Sequence, residues 1–213
     1  MIRDVLIFTP MLRLETATVQ ALMRLDWSGP LTLVIQRDNP TGDGRVDHWH
    51  QYERARALFL AGPYDAMLVI ESDIVPPAEA LERLAALGSD LAYGVYRFRA
   101  SNVINVYERY PVPNPRNVGQ SLSTKPRLLR AACRLGIIEC SGAGLGIVLI
   151  HRRVLERIPF RIDGNRGPHC DTYFTQDVFK AGFTMRADMG LICGHIDADG
   201  ADLRPVLPGE AER

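Results

Sequence analysis

No segment of this sequence stays apolar long enough to span a bilayer, so a membrane-crossing helix is not among its expected parts. Net charge is missing too. Lys+Arg and Asp+Glu each total 25, so the molecule as a whole has no field to steer a polyanion. The four cysteines, Cys133, Cys140, Cys170 and Cys193, show no paired spacing and lie in or beside apolar runs. That argues against a disulfide framework and for reduced thiols. The sequence has no internal repeat, no low-complexity tract and no leader-like start. MIRDVLIFTP carries Arg3 and Asp4 and runs directly into an apolar strand, from which a cytoplasmic location is expected. What is present is an ordinary globular composition. With 46% apolar residues in a chain of 213, one substantial core is affordable, and the length fits one large domain better than two small ones.

Strand and helix signals alternate through the first half. DVLIFTPML is an apolar run of buried-strand length, and LETATVQALMRLDW sets Leu14, Val19, Leu22, Met23 and Leu25 along one helical stripe. LTLVIQRDN reads as a second strand, YERARALFLAG as a helix stopped by Gly62, and AMLVIESD as a third strand. PAEALERLAALG is a helix with Pro77 in its first turn and Gly88 past its end, and LAYGVYRF adds a strand. Farther on, IIECSGAGLGIVLIHRRVLERI reads as strand, glycine turn, strand and short helix. DTYFTQDVFKAGF is a further helix, and TMRADMGLICGHI ends in the last strand. This order predicts an α/β protein with a mostly parallel sheet covered by helices. LRPVLPGEAER has little to pack, so residues 201–213 read as a tail to a domain over residues 1–200.

One stretch departs from neutrality. From Arg97 to Arg134, eight cations (Arg97, Arg99, Arg109, Arg116, Lys125, Arg127, Arg130 and Arg134) face one acid, Glu108, a balance of +7. The stretch also holds YPVPNPRN and has little periodicity, so residues 97–134 read as a long basic loop insertion.

The chemistry concentrates where strands end. In open α/β sheets, ligands bind beyond the carboxyl ends of the strands. Three such ends are polar here: Thr9-Pro10, Asp38-Asn39 and Glu71-Ser72-Asp73. In an extended segment, alternate residues share a side, so Glu71 and Asp73 are expected to converge. Two carboxylates so close repel unless a cation lies between them, and Mg²⁺ or Mn²⁺ prefers such oxygen ligands. The plainer reading makes Asp73 a helix cap and Glu71 a solvated strand end. SGAGLG, residues 141–146, allows close backbone approach to a ligand, or simply a tight turn. Asp171, at the start of a helix, is a candidate proton acceptor or an N-cap, with Asp177 as its alternative. His195, in CGHI, is a candidate third metal ligand or a structural histidine. Zinc held by His169, Cys170, Cys193 and His195 is set aside, because adjacent residues chelate poorly in a tetrahedral site.

Taken in order, these motifs resemble those of a GT-A fold glycosyltransferase, broadly like the family 2 enzymes and their short single-domain bacterial and phage versions. YDAMLVIESDIVPP is similar to the strand carrying that family's DXD motif, with Glu71 in place of the first Asp. ERARALFLAG resembles the Ala-Arg-Asn helix, with Arg56 at the Arg position. SGAGLGIVLIHRRVLERI resembles the glycine turn and strand that shape the donor-sugar pocket, including Gly144. HCDTYFTQDVFKAGF resembles the Glu-Asp helix, with Asp171 on the Asp and Cys170 replacing Glu, and ADMGLICGHI resembles the last strand, whose histidine joins the metal in many members.

The resemblance implies a metal-dependent transfer of sugar from a nucleotide-diphosphate sugar to an acceptor hydroxyl. Thr9, Pro10 and Asp38 would form the nucleoside pocket. Asp73 and His195 would hold Mn²⁺ or Mg²⁺, with Glu71 on the metal through water or on the ribose. Arg56 would help neutralise the diphosphate, and Asp171 would be the base. The basic loop would grip an anionic acceptor, such as DNA carrying a hydroxylated base or a phosphorylated glycan, or else be a solvated insert. Two other readings stay open: a nucleotidyltransferase acting on sugar phosphates, and a non-catalytic nucleic-acid-binding module. Against the first, TPMLRLETAT after the first strand has no glycine. The second leaves the acids and His195 unexplained.

Overall fold

Apolar runs without polar alternation become strands buried on both faces. The computed structural model describes residues 2–11, 13–37, 39–99, 104–108, 136–164 and 169–204. In chain order the elements are β1 (Val5–Pro10), α1 (Thr16–Leu22), β2 (Leu31–Gln36), α2 (Gly44–Ala61), β3 (Ala66–Ile70), β4 (Ile74–Val75), α3 (Ala80–Ala86) and β5 (Leu91–Val95). There follow β6 (Val106–Glu108), β7 (Ile137–Ala143), β8 (Ile147–His151), α4 (Arg152–Arg157), α5 (Cys170–Lys180), β9 (Met185–Ile192), β10 (Gly194–Ile196) and β11 (Asp202–Leu203).

Eight strands form one sheet in the order β2-β1-β3-β8-β5-β9-β7-β6. Only β8 and β7 run against the others, so the sheet is mostly parallel, as the alternation of elements predicts. Successive residues of a strand serve opposite faces. Leu6, Phe8, Met67 and Val69 enter one core with Tyr52 and Phe59 of α2, Leu155 of α4 and Phe174 of α5. Val5, Ile7, Leu68 and Ile70 enter the other, with Leu22 of α1 and Leu81 and Leu84 of α3. Helices thus cover both faces, the layered solution that a doubly buried sheet requires.

Helix α1 closes at Leu22, and α3 opens only at Ala80, so Pro77 precedes it instead of lying in its first turn. Three further boundaries differ from the sequence reading, each for a local reason. Helix α2 starts eight residues before Tyr52, because the Asp43 carboxylate accepts from the Arg45 and Val46 amides and caps it. The last strand divides at Cys193. Its amide still bonds the Val95 carbonyl beside β5, while Gly194 and His195 leave to pair with β4 in a three-stranded sheet, β11-β10-β4. The segment expected as a tail contributes β11 to that small sheet. Within the basic stretch, β6 pairs with β7. Residues 100–103 and 109–135, with most of its cations, lie outside the described residues.

The glycine turn is a packing device. An added Cβ at Gly144 would stand 2.2 Å from the Tyr96 hydroxyl, and one at Gly146 would stand 2.7 Å from Tyr96 ring carbon. The bare backbone there is what lets the buried Tyr96 side chain approach the turn so closely. Gly144→Ala should therefore destabilise the protein by about 1–3 kcal/mol, the usual cost of overpacking. Denaturant unfolding measures it. Adding Tyr96→Phe should recover part of the loss at Gly144, where the clash is with the hydroxyl, and little at Gly146, where it is with the ring.

Candidate functional site

A cavity of about 640 Å³ opens at the carboxyl ends of β1 and β3. Its size is that of a small-molecule site, and its place is where parallel sheets collect ligands. Its walls come from Pro10, the first turns of α2, the turn after β3, Tyr96 to Arg99, the start of α5, and His195.

The two acids after β3 do not converge as an extended strand would make them. The strand ends at Ile70, and the chain turns at once, with the Ile74 amide bonding the Glu71 carbonyl at 3.0 Å. Glu71 therefore meets α2: its Oε1 lies 3.5 Å from His48 Nε2 and accepts from the Tyr52 hydroxyl at 3.4 Å. Asp73 goes the other way. The pairing of β4 with β10 sets His195 opposite Ile74, and the Ile196 amide bonds the Asp73 carbonyl at 2.8 Å. This brings His195 Nε2 within 3.6 Å of Asp73 Oδ2. The Arg99 guanidinium also binds Asp73 and reaches the Ile196 carbonyl at 3.0 Å.

Each acid is thus matched to its own histidine, and the titration directions follow. Burial pushes Asp73 up, but the His195 hydrogen bond and the charges of His195 and Arg99 bring it below the usual value. Burial pulls His195 down, yet Asp73 and the Arg97 carbonyl outweigh it and hold the imidazole above its usual value. His48 behaves alike, with Glu71, Asp171 and Asp73 overcoming burial. Since a carbonyl can only accept, His195 Nδ1 donates to Arg97 O at 2.8 Å, which leaves Nε2 as the nitrogen facing Asp73.

Asp171 lies in the first turn of α5 but does not cap it. His169 occupies the N-cap position, without a side-chain cap bond, and Asp171 Oδ1 accepts from the adjacent Thr172 amide at 2.7 Å. Burial and then the Glu71 charge raise Asp171 above the usual carboxylate value, against the pull of His48. Asp177 is engaged elsewhere, in a two-bond pair with Arg161 at 2.6 and 3.0 Å.

The other expected residues are placed as follows. Pro10 lines the cavity. Thr9 is fully buried behind it and does not, and its hydroxyl has no hydrogen-bond partner among the described residues. Asp38 lies outside the described residues. Arg56 is away from the cavity, its Nε donating to the Leu155 carbonyl at 2.7 Å and its Nη1 3.6 Å from Glu53. Gly144 touches the site only through Tyr96. Among the described residues no group of three or more His, Cys, Asp or Glu side chains is arranged to hold a metal. Cys170 and Cys193 belong to opposite cores, and burial raises both thiols. Sequence reasoning missed Arg45 and His48 on α2. Their spacing with Tyr52 puts all three on one helical face, a signal hidden by starting the helix only at Tyr52, after TGDGRVDHWH. It also missed Arg99, counted with the basic loop and found instead on Asp73.

The architecture has solved counterparts. A197 from STIV superposes with a TM-score of 0.64 at 20% identity, over 95% of this chain and 90% of that one. Glucosyl-3-phosphoglycerate synthase from Mycobacterium tuberculosis, crystallised with Mn²⁺, uridine diphosphate and phosphoglyceric acid, superposes with a TM-score of 0.54 at 15% identity, over 92% of this chain and 71% of that one. At these identities the likeness shows the fold, a GT-A-like one. No family model matches the chain, and no curated protein matches it in sequence. Among the described residues no helix is long and apolar enough to cross a membrane.

The raised Asp171 gives a stability test. An acid whose folded value lies above its unfolded value binds protons more tightly when folded. Its penalty is absent below the usual value of 3.8, grows as pH rises toward the raised value, and is complete above it. Asp171→Asn should therefore raise Tm at pH 7 and leave it nearly unchanged at pH 3, as read by calorimetric melting. Glu71→Gln, followed by NMR of the Asp171 carboxyl carbon, should move that titration to lower pH.

Proposed function

We propose that this protein transfers a sugar from a nucleotide-diphosphate sugar to an acceptor hydroxyl. The observation that carries this reading is the approach of Asp73 to His195 at the strand ends, in a cavity shared with Asp171 and in a GT-A-like fold. The uridine diphosphate and Mn²⁺ bound by the mycobacterial neighbour support a nucleotide donor and a divalent cation here. Family 2 membership rests on the sequence resemblance.

The donor set fits such a cation. Asp73 offers a carboxylate and His195 its Nε2, with the opposite ring nitrogen anchored on a backbone carbonyl, the usual support for a metal-ligating imidazole. Two protein ligands leave the remaining positions to phosphate oxygens and water, which is how Mg²⁺ is commonly held. Charge supports it as well. Among the described lining residues, three guanidiniums (Arg13, Arg45 and Arg99) stand against four carboxylates (Glu15, Glu71, Asp73 and Asp171). A diphosphate would add to that negative excess, and Mn²⁺ or Mg²⁺, when bound, supplies the positive charge that stabilises it as a leaving group.

The chain's own groups do the rest. The nucleoside lies against Pro10 at the end of β1, toward the segment holding Asp38. Arg99, already on Asp73, is the nearest resident cation to the departing diphosphate. The acceptor oxygen forms its bond to the anomeric carbon while the bond from that carbon to the diphosphate oxygen breaks, its electron pair leaving with the diphosphate. The acceptor proton passes to the Asp171 carboxylate. Raising a carboxyl above its usual value makes it the stronger base once ionised. This assignment takes inversion at the anomeric carbon. Glu71, bound to His48 and Tyr52, faces the donor ribose more readily than the metal pair.

Two substitutions separate the roles. Asp73→Ala should abolish Mn²⁺-dependent binding of nucleotide sugar, while His195→Ala weakens it less because a neutral ligand is lost. Asp171→Asn should keep donor affinity and lower transfer by about 10²–10⁴-fold, the usual contribution of a general base. Calorimetry for donor binding and product formation for transfer are the measurements. Undiminished Mn²⁺-dependent binding in Asp73→Ala would refute the metal assignment.

A further inference from the structure

Among the described residues, one cation in the cavity wall has no counter-charge. Arg45, in the first turn of α2, is only 9% exposed, and its Nη1 is enclosed with no hydrogen-bond partner among the described residues. Among the described residues the side chain forms no ion pair, and its one hydrogen bond runs from Nη2 to the Gly164 carbonyl. Asp43, nearby in sequence, directs its carboxylate to the helix's first amides, and Asp47 directs its own to the Thr41 and Gly42 amides. The helix terminus is therefore already capped. What is left over is the guanidinium. A buried charge with an unmet donor is unfavourable unless something ionic completes it.

Its neighbours point to what that is. His48 lies one turn along α2, and its ring stands edge-on to that of His169 with centroids 6.0 Å apart. His169 is the exposed N-cap residue of α5, and its ring makes no cap bond. All three line the cavity. They also belong to one end of it. Arg45 is tied to Gly164, in the segment leading to His169 and Asp171, whereas Arg13 and Arg99 are tied to carbonyls of Ile196, Asp197 and Ala198 beside His195. The cavity thus has guanidiniums at two ends: Arg13 and Arg99, paired with Glu15 and Asp73, beside His195, and Arg45, with no ion pair among the described residues, on the side of Asp171.

We propose that Arg45, with the exposed His169 beside it, forms a subsite for the oxyanion of a small acceptor, a phosphate monoester or a carboxylate, and so presents that acceptor's hydroxyl to Asp171. The word acceptor rests on the glycosyl-transfer reading; the anion site itself does not. The donor's diphosphate is assigned to the opposite pole, with Asp73 and Arg99. Arg45 is thus a specificity residue: it selects acceptors that carry an anionic group and leaves the donor untouched.

The test is a calorimetric titration of the full chain with Mn²⁺, using glycerol 3-phosphate, glycerate and glycerol as probes and uridine diphosphate as the donor control. Wild-type protein should bind one of the two anions and not glycerol, and which anion binds separates phosphate from carboxylate. Arg45→Gln keeps a neutral donor for the Gly164 carbonyl and should weaken the anion by about thirtyfold or more, as when one partner of a buried charge pair is removed. His169→Ala, at an exposed position, should weaken it less. Neither should change the affinity for uridine diphosphate with Mn²⁺. Anion affinity unchanged in Arg45→Gln overturns the proposal, as does the absence of anion binding in wild type. An equal loss of uridine diphosphate binding overturns it too, since Arg45 would then serve the donor. If Arg45→Gln does not fold, unchanged anion affinity in His169→Ala decides against the subsite. An Arg45-dependent anion site in a protein that binds no nucleotide keeps the subsite and removes the glycosyl-transfer reading; nucleotide binding without anion binding does the reverse.

Discussion

The pairing of Ile74–Val75 with Gly194–His195 is two residues long, yet the site depends on it. It carries the turn after β3 against the strand that follows β9, and so brings a carboxylate and an imidazole from distant parts of the chain to 3.6 Å. Backbone bonds on both sides hold that geometry: the Ile196 amide on the Asp73 carbonyl, and the His195 ring on the Arg97 carbonyl. The division of the last strand at Cys193 follows from the same pairing. A strand that continued along β5 would have left His195 in the large sheet, away from Asp73.

The second constraint is electrostatic. Glu71, Asp73 and Asp171 border one cavity, and carboxylates so near each other resist ionising together. The chain meets this by dividing them. His48 and Tyr52 take Glu71, His195 and Arg99 take Asp73, and Asp171 is left without an ion pair among the described residues, raised by burial and the Glu71 charge. Asp73 and Asp171, two acids of like chemistry, are thereby shifted in opposite directions. Groups whose environments push their titrations apart are the usual sign of assigned acid, base and ligand roles.

Much of the fold was legible because its signals are local. Doubly buried strands such as VLIFTP and AMLVI are continuous apolar runs, and Gly62 and Gly88 mark where helices stop. The candidate site was legible in part. Asp73, His195 and Asp171 were found as polar residues at element ends, and the structure gathers them around one cavity. The turn after Ile70 was not legible, because period-two reasoning assumes an extended chain, and the Ile74-to-Glu71 bond depends on β4 being drawn to β10. Arg45 and His48 were lost to a helix boundary: Gly42 and Gly44 suggest a loop, while the cap by Asp43 makes a helix. Arg99 was read by its charge as part of a basic surface, and only tertiary contact reveals it as the partner of Asp73. Arg56, matched by motif, faces α4 instead of the cavity. A motif fixes position along a helix, whereas the helix's rotation about its axis is fixed by packing.

A fold of this type accommodates many chemistries, so the reading of function rests on the site and not on the architecture. Its central claim is that Asp73 and His195 hold one divalent cation beside a donor diphosphate. The most direct measurement is anomalous diffraction at the manganese edge from crystals grown with Mn²⁺ and uridine diphosphate. The account predicts a single strong peak bonded to Asp73 Oδ2 and His195 Nε2, with Arg99 displaced from that carboxylate and phosphate oxygens completing the shell. A peak on Glu71 and His48, or bound nucleotide with no peak beside Asp73, would contradict it.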